Sequence, residues 1–340
     1  MRRIGWRAQG GRAALVSLAA VVLAGCAKVA PQTTLEPKGP IARQIDNLID
    51  PVFIVAGVVF VLVQALVVIA VLKFRDRGQE EPEQIHGNTA LEIGWTLVPA
   101  VILLLIAVPT IKTIFDLSRP AEASDTLEVT VTGHQFWWEY LYEDSGVLSA
   151  NELVIPTGRP VELTLKSVDV IHSYWIPALA GKTDVIPGRV NRMTVVADEP
   201  GEYPGQCTEY CGASHANMRN VARALDAADF EEWLAAQQRG PATPAEGSAA
   251  AEGLEVYGNR GCAGCHTITG VSEGKVGPNL THFADRGTFA GSIFENNGEN
   301  LTRWLTDPQA AKPGNQMVIP GVPLTPEEIE QLIAYLETLK

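Results

Sequence analysis

The sequence predicts a multidomain fold: a two-helix transmembrane hairpin, then an all-β domain, then an all-α C-terminal domain. Three observations carry that prediction. Two apolar runs of membrane-spanning length lie in the first third of the chain. From about Thr126 apolar and polar residues alternate, the period of a half-buried strand. Beyond a stretch rich in Pro, Gly and Ser near 240–248, the spacing becomes helical. A chain of 340 residues has room for two or three such units.

Residues 1–25 read as an export signal. Arg2, Arg3, Arg7 and Arg12 precede the apolar stretch Ala13 to Ala24, which is too short to span a bilayer. The stretch ends in Leu23-Ala24-Gly25-Cys26, which resembles the cleavage box of bacterial lipoproteins. That resemblance implies that Cys26 becomes a lipidated first residue. An ordinary leader or an uncleaved anchor with an incidental cysteine is the alternative. Residues 26–50 follow as an extracytoplasmic segment.

The hairpin is expected over 51–115. Its first span, about 52–72, is apolar except for Gln64, and Lys73, Arg75 and Arg77 come directly after it. The second span, about 93–111, holds Pro99 and Pro109, tolerable where neighbouring groups satisfy the freed carbonyls. The basic residues between the spans favour a cytoplasmic loop, so both outer ends lie outside the cytoplasm.

The β domain is expected over 120–238. Leu127 to Thr132 and Val161 to Lys166 alternate strictly, and Arg192 to Val196 does so less regularly. Short strands broken by Pro and Gly point to a sandwich or barrel. Asp226 to Gln238 then reads as a helix with Phe230, Trp233 and Leu234 on one face. Residues 239–250 form a linker, and 251–340 the last domain. Thr325-Pro326-Glu327-Glu328 is a helix start, followed by Ile329, Leu332, Ile333 and Leu336 at helical spacing.

The formal charge of −13 argues against a nucleic-acid partner; it favours basic protein partners or serves solubility alone. Four of the five cysteines fall in two metal-binding signatures. The first is Cys207-x3-Cys211-x3-His215-x2-Met218, with His172 upstream. Thiolate and thioether are soft donors, and imidazole suits copper. Zinc has little use for methionine. A disulfide is open to an exported chain but explains neither His215 nor Met218. Two bridging thiolates can hold two copper ions in a rigid, electron-sharing pair. The second signature, Cys262-Ala263-Gly264-Cys265-His266, is the attachment pattern of a c-type haem. Cys262 and Cys265 would form the thioethers and His266 would ligate the iron. Past this motif, Met317 is the methionine available as sixth ligand. The other reading of Met317 is a core methionine. A thioredoxin-like role for the cysteines lacks a surrounding βαβ pattern. His86, His134 and His282 read as ordinary surface or hydrogen-bonding residues.

The chain resembles subunit II of the haem–copper cytochrome c oxidases, in the version with a fused cytochrome c domain. The resemblance rests on Gly205 to Met218, on Glu92-Ile93-Gly94-Trp95-Thr96-Leu97-Val98-Pro99-Ala100 and on Gly133-His134-Gln135-Phe136-Trp137-Trp138. It implies a cupredoxin-like β domain, a class I cytochrome c domain and a dinuclear copper centre. Cys207 and Cys211 would bridge the metals, His172 and His215 would each bind one, and Met218 and the Glu209 carbonyl would be weak ligands. The Glu209 side chain would reach a magnesium at the interface with subunit I. Gly277-Pro278-Asn279-Leu280 would orient the proximal histidine. Phe136, Trp137 and Trp138 would form the electron-entry patch, although the family often has Trp at the position of Phe136; the alternative for Trp138 is core packing. Glu92 would mark the mouth of a proton channel, or else be a solvated interface residue.

The expected role is the electron-entry subunit of a terminal oxidase: haem c to copper, then on to the oxygen-reducing subunit I. Subunits I and III, a cytochrome c or other redox donor and the bacterial plasma membrane are the expected partners and setting, the chain being multi-pass with both redox domains outside the cytoplasm. The alternative is a stand-alone membrane-tethered copper–haem carrier serving another reductase.

Overall fold

The computed structural model describes residues 30–75, 87–119 and 125–340. The expected signal segment and Cys26 lie outside the described residues, as do Arg77 and His86.

Helix α1 runs over Pro40–Lys73 and α2 over Thr89–Leu117. Pro40 opens α1 where its missing N–H costs nothing, and Asn88 caps α2 by accepting from the Ala90 and Leu91 amides. Both helices are long and apolar enough to cross a membrane, and the apolar window of each is unburied by protein. Side chains such as Phe60, Leu66, Leu104 and Leu105 are exposed along them, an apolar surface that suits lipid or a partner's helices rather than water. At 34 residues α1 is about 50 Å long, well beyond the roughly 30 Å of a hydrocarbon core. Its length leaves the first turns free to seat on the β domain. The Lys38 amide donates to the Ala178 carbonyl at 2.7 Å and the Ala42 amide to Leu179 at 3.2 Å. Arg43 pairs with Asp198 beside them.

The β domain has two principal sheets. One has five strands in the order β3-β2-β1-β5-β8: Val147–Ala150, Trp137–Tyr142, Leu127–His134, Val161–Ser167 and Asn191–Val195. The other has three, β4-β10-β9: Glu152–Pro156, Arg219–Leu225 and Gly201–Gln206. A small ladder pairs β6, His172–Tyr174, with β7, Thr183–Val185. The apolar members of the alternation, Val129, Val131, Leu163 and Leu165, are buried in one core with Leu153, Ile155, Ala222 and Ala224 of the other sheet, and the polar members Thr130 and Glu162 are buried as well. Tyr142 ties the sheets together, its hydroxyl donating to the Val154 carbonyl and accepting from the Val154 amide. Helix α3, Ala227–Gln237, closes one end with Phe230 buried and Trp233 against Tyr142.

The last domain packs α4, Ala249–Asn259, on α7, Pro326–Leu336, through Tyr257, Leu332, Tyr335 and Leu336. The expected start of α7 is a full capping box, in which Thr325 and Glu328 satisfy each other's backbone amides. Helices α5, Gly298–Thr306, and α6, Pro308–Ala311, complete the helical part. Two ladders two residues long, β11–β12 (Thr267–Ile268, Ser272–Glu273) and β13–β14 (Thr288–Phe289, Phe294–Glu295), close loops within it. This domain lies directly against the β domain. The Arg219 amide donates to Gly291 at 2.9 Å, and the Ser214 hydroxyl donates to the Pro313 carbonyl at 2.6 Å.

Candidate metal and haem sites

The loop carrying Cys207 to Met218 is the connection between β9 and β10. These strands pair up to Gln206 and Arg219, and the Cys207 amide extends the ladder by donating to the Met218 carbonyl at 2.9 Å. The first and last donors are therefore neighbours although eleven positions separate them. Inside the loop the His215 amide bonds Gly212, and the Met218 amide bonds His215. His172 arrives from β6, held beside the loop by the bond from the Thr208 amide to Ser173.

These elements bring together a compact set of donors. The sulfurs of Cys207 and Cys211 are 3.9 Å apart, far beyond a disulfide bond, and both thiols are free. His172 Nδ1 lies 4.0 Å from Cys207 Sγ, and His215 Nδ1 lies 3.7 Å from Cys211 Sγ. Met218 Sδ sits 3.8 Å from Cys211 Sγ, and the Glu209 carbonyl oxygen 3.4 Å from Cys207 Sγ. His172 and Met218 are fully buried, and both cysteines nearly so. The set has two central sulfurs with an imidazole on each side, a soft thioether and a carbonyl. That chemistry fits copper and suits zinc poorly.

Electrostatics agree with a site built for cations. The Cys207 thiol is pulled down to about 4, first by a hydrogen bond from Cys211 and then by His172 and backbone amides, against the opposing effect of burial. The second proton, on Cys211, is held tightly because it would leave a second anion beside the first. A bound cation removes that penalty. Burial works against protonation of His172, yet its bonds to Asp169 and Cys207 raise its pKa overall. His172 Nε2 meets Asp169 Oδ1 at 2.7 Å, so Nε2 carries the proton and Nδ1 is left for metal. Asp169 itself is kept anionic despite burial, by His172 and by the amides of Val170 and Gln135.

The aromatic run divides. Trp138 is buried, its ring edge-on to His172 at 5.7 Å and to Tyr174 at 5.0 Å. Trp137 stacks on His134 at 4.1 Å. Phe136 is buried beneath the C-terminal domain, 4% exposed. Gly133 makes room for this packing: a Cβ there would come within 2.9 Å of His172 Cδ2 and 3.2 Å of Trp138 Cζ3. The reading of His134 as an ordinary surface or hydrogen-bonding residue is corrected here. Its Nε2 is buried without a partner, and burial lowers its pKa to about 4. His282 does bond, to the carbonyls of Gln237 and Arg239.

In the C-terminal domain Cys262, Cys265, His266 and Met317 line one cavity of about 310 Å³, walled by Leu301, Trp304 and Leu332 among others. His266 Nδ1 donates to the Pro278 carbonyl at 2.8 Å, which leaves Nε2 unprotonated as the ligand. Burial lowers the His266 pKa, which favours the neutral ring. Trp304 Nε1 donates to Met317 Sδ at 3.1 Å and fixes the thioether. Two free thiols, an oriented imidazole and a pinned thioether around one apolar space fit a covalent haem with two axial ligands.

Glu92 stands exposed in the first turn of α2, and Glu209 is exposed at the edge of the copper loop. Sequence reasoning gave no role to Asp169, although it lies three residues before His172. Nor did it single out Trp304, for which the helical pattern gave no particular signal.

Comparison with known proteins agrees with this layout. Three family profiles match: the transmembrane domain of cytochrome c oxidase subunit II over 33–113, its periplasmic domain over 147–225 and cytochrome c over 250–340. Cytochrome c oxidase subunit 2 of Alkalihalophilus pseudofirmus is 41% identical over 333 residues, covering 96% of each chain. The same subunit of Bacillus sp. strain PS3 is 37% identical, again over 96% of each chain. Among solved structures, the periplasmic domain of subunit II of cytochrome oxidase of Bradyrhizobium japonicum is 29% identical with a TM-score of 0.33, covering 36% of this chain and 97% of that one. A match of such identity over almost the whole of both chains, through both redox domains and the hairpin, establishes kinship: this chain belongs to the cytochrome c oxidase subunit II family, in its form with a C-terminal cytochrome c domain.

Proposed function

We propose that this subunit is the electron entry of a terminal oxidase, with a dinuclear copper centre held by Cys207, Cys211, His172, His215, Met218 and the Glu209 carbonyl. When bound, the haem and the copper pair supply one-electron transfer toward the oxygen-reducing subunit. Association with that catalytic subunit in a haem–copper oxidase complex follows from the family. Subunit III and a cytochrome c or other soluble donor are the further partners proposed. The proposed setting is the bacterial plasma membrane, crossed by α1 and α2, with both redox domains outside the cytoplasm.

The observation that carries the reading is the donor ring around the two central sulfurs at 3.9 Å. The chain's own groups do the rest. Asp169 fixes the His172 tautomer, Pro278 fixes that of His266, and Trp304 holds the Met317 sulfur. Burial keeps water from Cys207 and Cys211, so the environment changes little when the charge of the site changes. Cys262 and Cys265 would anchor the haem covalently, with His266 and Met317 as axial ligands.

Three proposed roles rest on position. The exposed Glu209 carboxylate would reach a magnesium at the face meeting subunit I. Glu92 would open a proton path into that subunit. Trp137 and Phe136 would lie on the electron path, while Trp138 supports His172 from beneath.

Cys207→Ser should abolish the near-infrared copper band and oxygen uptake while leaving the c-haem spectrum unchanged. Normal oxygen uptake in that variant would reject the copper relay. Purification in mild detergent separates this reading from a stand-alone carrier: a large haem a-containing subunit should come with the chain, and a carrier would come alone.

A further inference from the structure

The haem domain hangs on a Pro- and Gly-containing linker, yet two buried polar side chains cross between the domains in opposite directions. Lys312, 2% exposed, reaches out of the haem domain. Its Nζ donates to the Phe136 carbonyl of the copper domain at 2.6 Å and to the Ala290 carbonyl of its own domain at 2.6 Å. Glu152, 6% exposed at the start of β4, reaches the other way. Its Oε1 accepts from the amides of Gly287 and Thr288 at 2.7 and 3.2 Å, and the guanidinium groups of Arg286 and Arg223 lie within electrostatic range.

Each contact is costly to break. Undocking would break the Lys312 bond to the Phe136 carbonyl and the two amide bonds to Glu152, while removing either side chain from the closed seam would leave those buried carbonyl or amide groups unsatisfied. Lys312 also lines the haem crevice. Gln135, Phe136 and Trp137 of the copper domain line the same cavity as Cys262, His266 and Met317. The Gln135 side chain in turn donates to the Cys211 carbonyl. One wall of the haem cavity is therefore a strand end whose neighbour is a copper-site cysteine.

We propose that Lys312 and Glu152 are positioning residues that latch the haem domain onto the copper domain in one pose, with the crevice closed against Gln135, Phe136 and Trp137. A tether alone would give a domain that searches for its dock, with an effective concentration set by linker length. The latch replaces that search with a fixed separation. Electron tunnelling falls steeply with separation, so the pose sets the rate. The transfer concerned moves one electron, oxidising ferrous haem to ferric and reducing the copper pair by one equivalent, with no bond or proton changing place. This consequence for rate rests on the electron route proposed above; the latch itself does not.

The test uses the intact oxidase carrying Lys312→Met or Glu152→Ala in this subunit. Either variant serves if the other fails to hold its cofactors. Hydrogen exchange at residues 287–291 should speed up by about tenfold or more, the equilibrium cost of a stranded buried hydrogen bond. Copper reduction after flash reduction of the haem should slow by about tenfold and become dependent on solvent viscosity, as a diffusive search would require, while both optical spectra stay unchanged. Lys312→Gln, which keeps N–H donors, should recover part of the protection and of the rate. Unchanged exchange in a variant with intact spectra overturns the latch. Faster exchange with an unchanged rate overturns its positioning role. If the unaltered complex shows no haem-to-copper transfer while exchange responds as described, the latch stands and the electron route fails.

Discussion

At the scale of single residues, the proposed copper site depends on groups outside its donor set. Asp169 is the clearest. Its Oδ1 takes the proton-bearing Nε2 of His172 at 2.7 Å, and its other oxygen takes the Gln135 amide at 2.6 Å. Asp169→Ala should leave His172 free to flip or change tautomer. Partners of this kind are usually worth about 10–100-fold in metal affinity. Competition with a copper chelator should show that loss, with the c-haem spectrum unaffected; undiminished affinity would mean that packing against Trp138 alone orients the ring. The candidate donors are legible in the chain because Cys207, Cys211, His215 and Met218 crowd into one loop. Asp169 is not, since an acid three residues before a histidine is common and acquires meaning only when β6 brings the ring to the loop. Gly133 is silent in the same way: its lack of a side chain matters only because His172 and Trp138 converge on it.

At the scale of elements, the haem domain closes on one helix pair, α4 against α7, and both ends of that contact are pinned. Arg260, at the C-terminal end of α4, pairs with Glu328 in the first turn of α7. Glu328 also belongs to the capping box. The Arg260 side chain, with help from the Thr325 amide, pulls the Glu328 carboxyl down to about 2. A carboxylate depressed on folding stabilises the fold above its unfolded pKa, near 4.3, and that stabilisation is lost as pH falls toward 2. Acid titration of the haem-domain spectrum should therefore show loss of stability between about pH 4.3 and 2, with a shallower dependence in Glu328→Gln. Thr325→Ala should cost about 1 kcal/mol of thermal stability through the lost cap. An unchanged acid profile in Glu328→Gln would transfer the effect to other carboxylates. The start of α7 was readable because its signals lie within four residues of one another. Its partner Arg260 was not, being 68 positions away.

At the scale of the molecule, two seams fix where the redox sites stand, and neither is written locally. One joins the haem domain to the copper domain through Lys312 and Glu152, across sequence separations of 176 and 135 residues. Alternation, helical spacing and cysteine motifs each describe a unit and its own core; the contacts between finished units leave no periodic trace. The other seam joins the copper domain to the hairpin. The segment from Lys38 to Arg43 lies on the 178–179 and 196–198 stretches so closely that a Cβ at Gly39 would come within 2.1 Å of the Val196 carbonyl oxygen. No flexible side chain can yield there, because the obstacle is backbone. Gly39→Ala should therefore unseat the arm while leaving the sandwich and its donor ring intact. Since α1 continues without a break from this arm into the membrane, the copper domain would lose its set orientation to the bilayer and to the subunit beneath it. The expected result is a chain that keeps its copper and haem spectra, exchanges the amides of Lys38 and Ala42 faster, and is recovered in mild detergent with less of the oxygen-reducing subunit. Recovery of the full complex with fast-exchanging arm amides would mean that the partner subunit, and not the arm, holds the copper domain in register with the membrane.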